Sequence, residues 1–293
     1  MKNIVRKVRT KLADISARSR LIKMVYRGPV RKFNRLIKKW SLPEYVELEG
    51  NMFYIDRFDT LDLNNGPYGS KLFRDLLIDN IREGDIALNI GANIGYYTVL
   101  MAKKAGESGK VYAFEPDHEN FNILRKNIAC NNCLNIEPVK KAVSDKDGKA
   151  KLYLDEYNQG DHRIYDSGDN RKFIEIETIS IDNFFKKNQK IDFILLDAQG
   201  SEFSILKGMK NIINKNSNIK IITEFSPYHL RKSGCSPEDY LNLIRKLGFN
   251  IFDIDEKRMK IERKNVKDLI KEYDLQGEKA TDLFLTRKSN VSF

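Results

Sequence analysis

The amino-acid sequence predicts an α/β fold, in which a doubly wound, mostly parallel sheet carries helices on both faces. Three observations predict it. Strand-like and helix-like segments alternate from residue 85 onward, an order typical of parallel sheets. Residues 192–197 form a nearly continuous apolar run, as expected of a strand covered on both faces. Residues 89–95, NIGANIG, place glycines between a strand and a helix.

The individual elements follow from apolar periodicity and from turn residues. A strand is predicted over residues 45–56 and a helix over residues 70–82, ahead of the alternation. Further strands are predicted at 85–90, 110–115, 135–143, 192–197, 220–225, 250–255 and 282–286. Helices are predicted at 97–104, 119–130, 202–209 and 237–247. Residues 151–155 and 172–179 predict a hairpin around a polar loop, and a charged insertion precedes the last strand.

Charge divides the 293-residue chain into two parts. Its formal net charge is +11, yet residues 1–40 hold fourteen Lys or Arg and a single acid, Asp14. The rest of the chain therefore sums to about −2 by the same count. A basic active-site groove is not implied, because the positive charge belongs to the amino-terminal segment.

This division predicts a basic amphipathic helical arm over residues 1–42 and a catalytic domain over 43–290, with a hairpin and loop insertion at 150–178. Apolar stripes backed by Lys and Arg suit an anionic membrane surface, a polyanion or a partner chain. Helices packed on their own domain carry the same stripes. The sequence leaves the oligomeric state open.

Location is predicted from the cysteine count and from apolar run lengths. Three cysteines cannot form a disulfide framework, and free thiols suit a reducing compartment. No apolar run approaches the ~18 residues that cross a bilayer. We expect a cytoplasmic protein, peripheral to a membrane if the arm binds one.

The glycine turn and the next strand together indicate a nucleoside-containing cofactor. The turn has Gly91 and Gly95, and its spacing matches neither the Gly-x-Gly-x-x-Gly fingerprint nor a phosphate-binding Walker loop. The next strand ends in Glu115-Pro116, about twenty residues later. An acid at that position accepts hydrogen bonds from ribose hydroxyls.

Acids also end two later strands. Asp197 follows a strand that should lie beside the first one, and it could bind a cofactor amino group, a substrate hydroxyl or a metal. Glu224 ends the next strand, where a surface charge is the alternative. Asp197 and Glu224 are the candidate ligands if the protein holds a divalent cation. Glu202 is expected in a first helical turn, where the helix dipole favours an acid.

These stretches resemble the FkbM family of S-adenosylmethionine (SAM)-dependent methyltransferases from about residue 56 to 247. The motifs are Gly91-Ala-Asn-Ile-Gly, Phe114-Glu-Pro, residues 142–148 (AVSDKDG), and residues 197–202 (DAQGSE) followed by Leu206-Lys-Gly. The resemblance implies the seven-stranded class I methyltransferase sheet with a reversed last strand. It implies SAM as the methyl donor and, usually, a hydroxyl acceptor.

The resemblance also implies roles for individual residues. Asn89 and the turn of Gly91, Ala92 and Asn93 would meet the methionine end of SAM, and Glu115-Pro116 the ribose. The segment that holds Val143 would lie against the adenine. Family members usually have Asp where this chain has Asn89, and many have Glu where it has Gln199.

A hydroxyl acceptor must lose a proton, and a positioned base contributes about 10²–10⁴-fold. His162 and Arg163 lie in the polar loop of the predicted hairpin. We hypothesise that His162 is the base and that Arg163 orients the substrate, with Asp197 and Glu224 as the other candidate catalytic groups. Alternatively, the loop is stabilised by its own hydrogen bonds.

The sequence thus predicts a SAM-dependent O-methyltransferase that acts on a sugar, glycan or natural-product hydroxyl. An RNA methyltransferase that uses the arm is the first alternative, although the catalytic domain has no basic surplus. A SAM-binding protein without catalysis is the second, since Asn89 replaces the usual acid.

Overall fold

The computed structural model describes residues 42–156, 158–185, 189–274 and 279–288. The predicted basic arm lies outside these residues except for residue 42, and so do the expectations about its partners. Within these ranges, every helix falls short of the length and apolar character needed to cross a membrane.

The structure alternates strands and helices as predicted. The elements of the first part are β1 (Tyr45–Leu48), β2 (Asn51–Tyr54), a 3-10 turn (Leu63–Asn65), α1 (Lys71–Asp79), β3 (Ile86–Ile90), α2 (Tyr96–Ala105), β4 (Lys110–Phe114), α3 (His118–Cys130), β5 (Ile136–Val139), β6 (Ala142–Val143) and β7 (Gly148–Tyr153). Those of the second part are β8 (Phe173–Ile179), α4 (Ile181–Phe184), β9 (Phe193–Leu196), α5 (Glu202–Lys207), α6 (Lys210–Lys215), β10 (Lys220–Phe225), α7 (Pro227–Lys232), α8 (Pro237–Lys246), β11 (Asn250–Asp255), β12 (Lys260–Arg263), α9 (Val266–Tyr273) and β13 (Thr281–Thr286).

The central sheet has eight strands in the described residues, in the order β12-β11-β13-β10-β9-β3-β4-β5. The five strands from β10 to β5 are parallel, whereas β13 is antiparallel to both β10 and β11. The doubly wound fold with a reversed last strand is confirmed. An eighth strand, β12, pairs with β11 at the edge, and it arises from the charged insertion.

Two predicted strands are each divided in the structure. The strand predicted at 45–56 is the hairpin of β1 and β2, because Glu49 and Gly50 adopt positive φ and turn the chain. The strand predicted at 135–143 becomes β5 and β6, which belong to different sheets. β5 holds Pro138 and lies at the sheet edge, where a residue without an N–H is tolerated.

The predicted hairpin in the insertion is confirmed. β7 and β8 pair antiparallel, and β6 adds to β8 in parallel to make a three-stranded sheet. This small sheet carries the polar loop between β7 and β8. Arg163 in that loop forms a β-bridge with Tyr153 at the end of β7, which ties the loop to the sheet.

Both faces of the central sheet are covered, as the apolar run of β9 predicts. Ile194 and Leu196 belong to the core on one face, with α8, whereas Phe193 and Leu195 belong to the core on the other, with α1 and α2. All four side chains are buried. The layers therefore hold the carboxyl ends of β3, β4 and β9 in a fixed arrangement.

The insertion before β13 is held by a buried ion pair. Lys264 places its Nζ 2.5 Å from carboxylate oxygens of Asp253 and Glu272, and the Asp253 side chain is fully buried. Tyr273 and Thr281 also donate hydrogen bonds to Asp253. Removing the cation would leave a buried, partly compensated charge.

We therefore expect Lys264→Met to lower the free energy of unfolding by about 3 kcal/mol, measured by urea denaturation. Lys260→Met is the matched control. Lys260 forms an exposed ion pair with Glu262 on β12, the strand that ends just before Lys264, so the loss of this pair should cost under about 1 kcal/mol. Equal losses in the two variants would contradict this account.

Candidate active site

A cavity of about 620 Å³, the first cavity, lies at the carboxyl ends of β3, β4 and β9. Ligands of open parallel sheets bind at this edge. Most residues singled out in the sequence line it, namely Asn89, Gly91, Ala92, Asn93, Glu115, Pro116, Val143, His162, Arg163 and Asp197. Glu224 instead lines a neighbouring cavity.

The turn after β3 is in backbone contact with the end of β9. Gly91 has φ +85°, and a Cβ there would come 1.8 Å from the carbonyl oxygen of Asp197. The N–H groups of Gly91 and Ala92 both donate to the carbonyl of Phe114 at the end of β4. Only glycine fits, and the turn ties the three strand ends together.

Glu115 is a buried acid held by backbone amides. Its Oε2 accepts a hydrogen bond from the N–H of Asn93 at 2.8 Å, and its Oε1 accepts one from Asp117 at 2.9 Å. Burial nevertheless raises the pKa of Glu115 to about 8. The carboxyl thus orders the glycine turn and faces the cavity at the end of β4.

Asn89 and Val143 form further parts of the wall. Asn89 is buried, and its side-chain amide donates to Oγ1 of Thr98 on α2 at 2.8 Å, which braces the turn against the helix. Val143 is buried beside the same cavity, and so is Ala142. β6 therefore supplies an apolar surface to the wall.

Two buried acceptors in this region were missed in the sequence. Oδ1 of Asn120 and Oε1 of Gln159 are buried, and neither has a hydrogen-bond partner among the described residues. Both residues line the first cavity, and Nδ2 of Asn120 donates to the carbonyl of Gln159. No sequence signal marks them, because a helix residue and a loop residue meet only through the fold.

Three carboxylates converge near the end of β9. Oxygen atoms of Asp197, Glu202 and Glu224 all lie within 4.8 Å of one another. Asp197 is reached from the cavity, and its Oδ1 accepts a hydrogen bond from Gln199 at 2.7 Å. Burial raises the pKa of Asp197, because the cavity walls keep bulk water from its carboxylate.

Glu202 does more than complement a helix dipole. It lies in the first turn of α5 as expected, but its Oε1 accepts hydrogen bonds from the N–H groups of Ala198 and Gly200. These bonds close the turn that follows β9. Burial first, and the charge of Glu224 second, raise the pKa of Glu202 to about 8.

Glu224 ends β10 beside His229, whose Nδ1 lies 3.9 Å from its Oε2. Burial raises the pKa of Glu224 to about 8, with Asp197 and Asp161 as the next causes. In the register of β10 and β13, Glu224 lies directly opposite Asp282. Asp282 was missed because an acid at the start of a strand carries no signal unless that strand is known to be reversed.

His162 and Arg163 lie in the loop over the cavity. Nδ1 of His162 accepts a hydrogen bond from the N–H of Asp155, and burial lowers the pKa of the imidazole. The neutral ring then carries its proton on Nε2, which makes it a hydrogen-bond donor there. Arg163 binds both oxygens of Asp161, at 2.7 Å each. The loop is therefore braced internally, as the alternative interpretation expected.

The arrangement can do two kinds of chemistry. The glycine turn, Glu115 and the unpartnered acceptors can hold a nucleoside-containing cofactor. The three carboxylates can accept a proton or bind a hard divalent cation, for which carboxylate oxygens are the usual ligands.

Comparisons with known proteins agree with this architecture. A family model described as "Methyltransferase FkbM domain" matches residues 89–251, more than half of the chain. The hexuronic acid methyltransferase AglP of Haloferax volcanii is 27% identical over 141 residues, which span 47% of this chain and 55% of AglP. The chain thus matches about half the length of that relative.

Two solved structures are similar to this chain at low sequence identity. A SAM-dependent O-methyltransferase from Thermotoga maritima has a TM-score of 0.44 and 11% identity, covering 85% of this chain and 79% of that one. TYW2 from M. jannaschii, in complex with AdoMet, has a TM-score of 0.40 and 14% identity, covering 82% and 83%.

The buried acids predict a pH-dependent stability. A carboxyl whose folded pKa is about 8 binds a proton more tightly folded than unfolded. Its contribution is therefore complete below the unfolded pKa of about 4.5 and is lost as pH rises toward 8. Glu202→Gln keeps an oxygen for the Ala198 and Gly200 amides but removes the charge.

We expect the thermal unfolding midpoint of Glu202→Gln to match the wild type near pH 5 and to exceed it near pH 8.5. Each kcal/mol of difference is worth about 2–4 °C in a chain of this size. The exposed control Glu107→Gln should follow the wild type at every pH. A Glu202→Gln curve parallel to the wild type would refute the raised pKa.

Proposed function

Because the chain belongs to the FkbM methyltransferase family, we propose that it transfers a methyl group to a hydroxyl of a sugar or related polyhydroxylated compound. Its cofactor is SAM. The observation that carries the proposal is the cluster of Asp197, Glu202 and Glu224, which adjoins the glycine turn of the first cavity. A hydroxyl that reaches this cluster meets groups able to take its proton.

The residues of the first cavity fit SAM. Glu115 offers a carboxylate to the two ribose hydroxyls, and Ala142 and Val143 offer an apolar surface to the adenine. The unpartnered oxygens of Asn120 and Gln159 would accept hydrogen bonds from an amino or hydroxyl group. A buried acceptor that lacks a partner costs about 1–3 kcal/mol, so a ligand that supplies the donors is favoured.

When bound, SAM supplies an electrophilic methyl group on a positively charged sulfonium. Asn89 cannot offset that charge, since its side chain is neutral and donates to Thr98. We infer that the carboxylates of Glu202 and Glu224, which cluster with Asp197, offset the sulfonium charge instead. A positive charge nearby also favours their ionised form and readies one of them as a base.

A pKa raised to about 8 makes the ionised form of Glu224 a stronger base than an ordinary carboxylate, because basicity follows the pKa of the conjugate acid. At pH 7 that form depends on the nearby sulfonium charge, which favours it. The hydroxyl proton would pass to this carboxylate as the oxygen attacks the methyl carbon. In this role Glu224 replaces His162, whose Nδ1 is already engaged with Asp155. We propose His162 and Arg163 as groups that position the loop over the bound ligands.

A divalent cation is a second way to acidify the hydroxyl. Asp197, Glu202 and Glu224 form an oxygen-rich set that suits Mg²⁺ or Mn²⁺. A cation held there would lower the pKa of a coordinated hydroxyl and reduce the need for a carboxylate base. The two routes differ in their response to chelation.

The sugar class is supported by the relative from Haloferax volcanii, which is described as a hexuronic acid methyltransferase. The expected cytoplasmic location stays a prediction.

Glu115 tests the cofactor site. Its pKa of about 8 means that it is largely protonated at pH 7 without ligand, and ribose hydroxyls would favour the ionised form. SAM binding at pH 7 should therefore release a proton. We expect affinity to rise as pH increases toward 8, as seen by calorimetry in buffers of different ionisation enthalpy.

Glu115→Gln should weaken SAM binding by about tenfold or more, equivalent to one lost charge-assisted hydrogen bond, and should abolish the proton release. Glu137→Gln is the matched control, since Glu137 is half-exposed and pairs with Lys110 on the next strand. Unchanged affinity and proton release in Glu115→Gln would remove Glu115 from the cofactor site.

The activity itself is tested with methyl-labelled SAM and a panel of sugars, glycans and sugar nucleotides. We expect transfer to a hydroxyl, and a Glu224→Gln turnover lower by about 10²–10⁴-fold with SAM affinity retained. Glu107→Gln, an exposed acid, should keep full turnover. SAM binding without transfer to any acceptor would instead support the non-catalytic alternative.

The same assay separates the two routes to deprotonation. Activity that survives exhaustive chelation supports the carboxylate base. Activity that is lost on chelation and restored by Mg²⁺ or Mn²⁺ supports the cation.

A further inference from the structure

A second cavity of about 350 Å³ lies against the first one, at the ends of β10 and β11 and the start of β13. Glu256 and Asp282 line both cavities, so the two spaces adjoin at these residues. Glu224 lines only the second. Glu256 is held in place by Ser70, the residue that caps α1, whose hydroxyl donates to it at 2.8 Å.

Glu224 and Asp282 form a facing pair at this junction. They are direct partners across the antiparallel ladder of β10 and β13, so their side chains project from the same face of the sheet. Directly opposite residues have Cβ atoms about 4.5–5.5 Å apart, and like charges there repel. The two carboxyls therefore lie side by side where the two cavities adjoin.

The outer lining of the second cavity alternates acids and bases. Arg258 lies between Asp255 and Glu272, with N–O distances of 3.4 and 3.8 Å. Lys279 donates to the carbonyl of Glu272 and stands 4.6 Å from the ring centre of Tyr273. Carboxylates accept hydrogen bonds and ammonium or guanidinium groups donate them, whereas a hydroxyl does both.

This lining selects a class of ligand. In the described part of the chain, five acids and three cations line the wall, so an anionic ligand is repelled, whereas cations such as Arg258 already partner acids that a cationic ligand would need. Ile254 and Ala280 are the aliphatic side chains among the described lining residues, so a large apolar compound would cover charged groups without pairing them. Vicinal hydroxyls on a sugar ring satisfy such a wall of alternating donors and acceptors.

We propose that the second cavity binds the methyl acceptor as a neutral sugar ring, with one hydroxyl directed past the Glu224–Asp282 pair into the first cavity. This inference rests on the proposed O-methyltransferase function. The hydroxyl proton goes to the carboxylate pair, and its oxygen uses the freed electron pair to bond the methyl carbon. The bond between that carbon and the sulfonium sulfur breaks, and its electron pair stays on sulfur. The carboxylate pair then returns the proton to solvent.

Ala280→Trp tests the binding site. Ala280 is exposed and lines the second cavity but not the first, so a tryptophan there fills the space without a change in the core. We expect SAM affinity to stay within twofold of the wild type and the KM for the sugar acceptor to rise at least tenfold. Leu134→Trp adds the same side chain at a residue that is 98% exposed and distant in the sequence from Ala280. It should leave both the SAM affinity and the KM for the acceptor unchanged.

A binding experiment that needs no turnover keeps this test separate from the proposed function. Saturation-transfer NMR with methyl glucoside, galactoside and mannoside, in the presence of S-adenosylhomocysteine, should show contact with wild type and Leu134→Trp but not with Ala280→Trp. Sugar contact without any methyl transfer would overturn the proposed function alone. Equal sugar contact or equal KM in Ala280→Trp would overturn the second cavity as the acceptor site.

Discussion

The close approach of two backbones, at Gly91 and Asp197, sets the geometry on which the rest of the site depends. The carbonyl oxygen of Asp197 occupies the space that any side chain at residue 91 would need. This contact exists because β3 and β9 are adjacent parallel strands whose carboxyl ends are level. It places the glycine turn, which lines the first cavity, directly against the first of the clustered acids.

Burying several acids at one edge opposes stability and creates reactivity at the same time. Glu115, Glu202 and Glu224 each have a pKa raised to about 8, mainly because the fold shields them from water. Backbone N–H groups compensate Glu115 and Glu202, which hold turns in place. Oε2 of Glu224 is buried and has no hydrogen-bond partner among the described residues. This difference in hydrogen bonding distinguishes Glu115 and Glu202, which position turns, from Glu224, which is the acid best suited to exchange a proton.

The insertion between β7 and β8 shows how a polar loop becomes part of a site. Asp161 receives hydrogen bonds from both Arg163 and Arg171, and Arg171 also contacts Asp155. Charge-assisted bonds of this kind are short and directional, so they hold the loop in one shape. The loop thereby presents His162 and the Gln159 acceptor to the first cavity.

Local patterns in the sequence determined the alternation of strands and helices, the buried character of β9, the hairpin of β7 and β8, and the glycine turn followed by Glu115. Each of these segments carries its own local pattern of apolar and turn residues, so periodicity and turn chemistry predict it. Only the tertiary structure decided that Asn120 meets Gln159, that a charged insertion contributes β12, and that Asp282 faces Glu224. The Asn120–Gln159 and Glu224–Asp282 pairings span 39 and 58 positions of the chain, the second of them across the reversed strand β13, and cross-strand register is set by packing. The glycine turn that the sequence predicts is therefore local, whereas the pairing of Glu224 with Asp282 arises from the way the sheet is assembled.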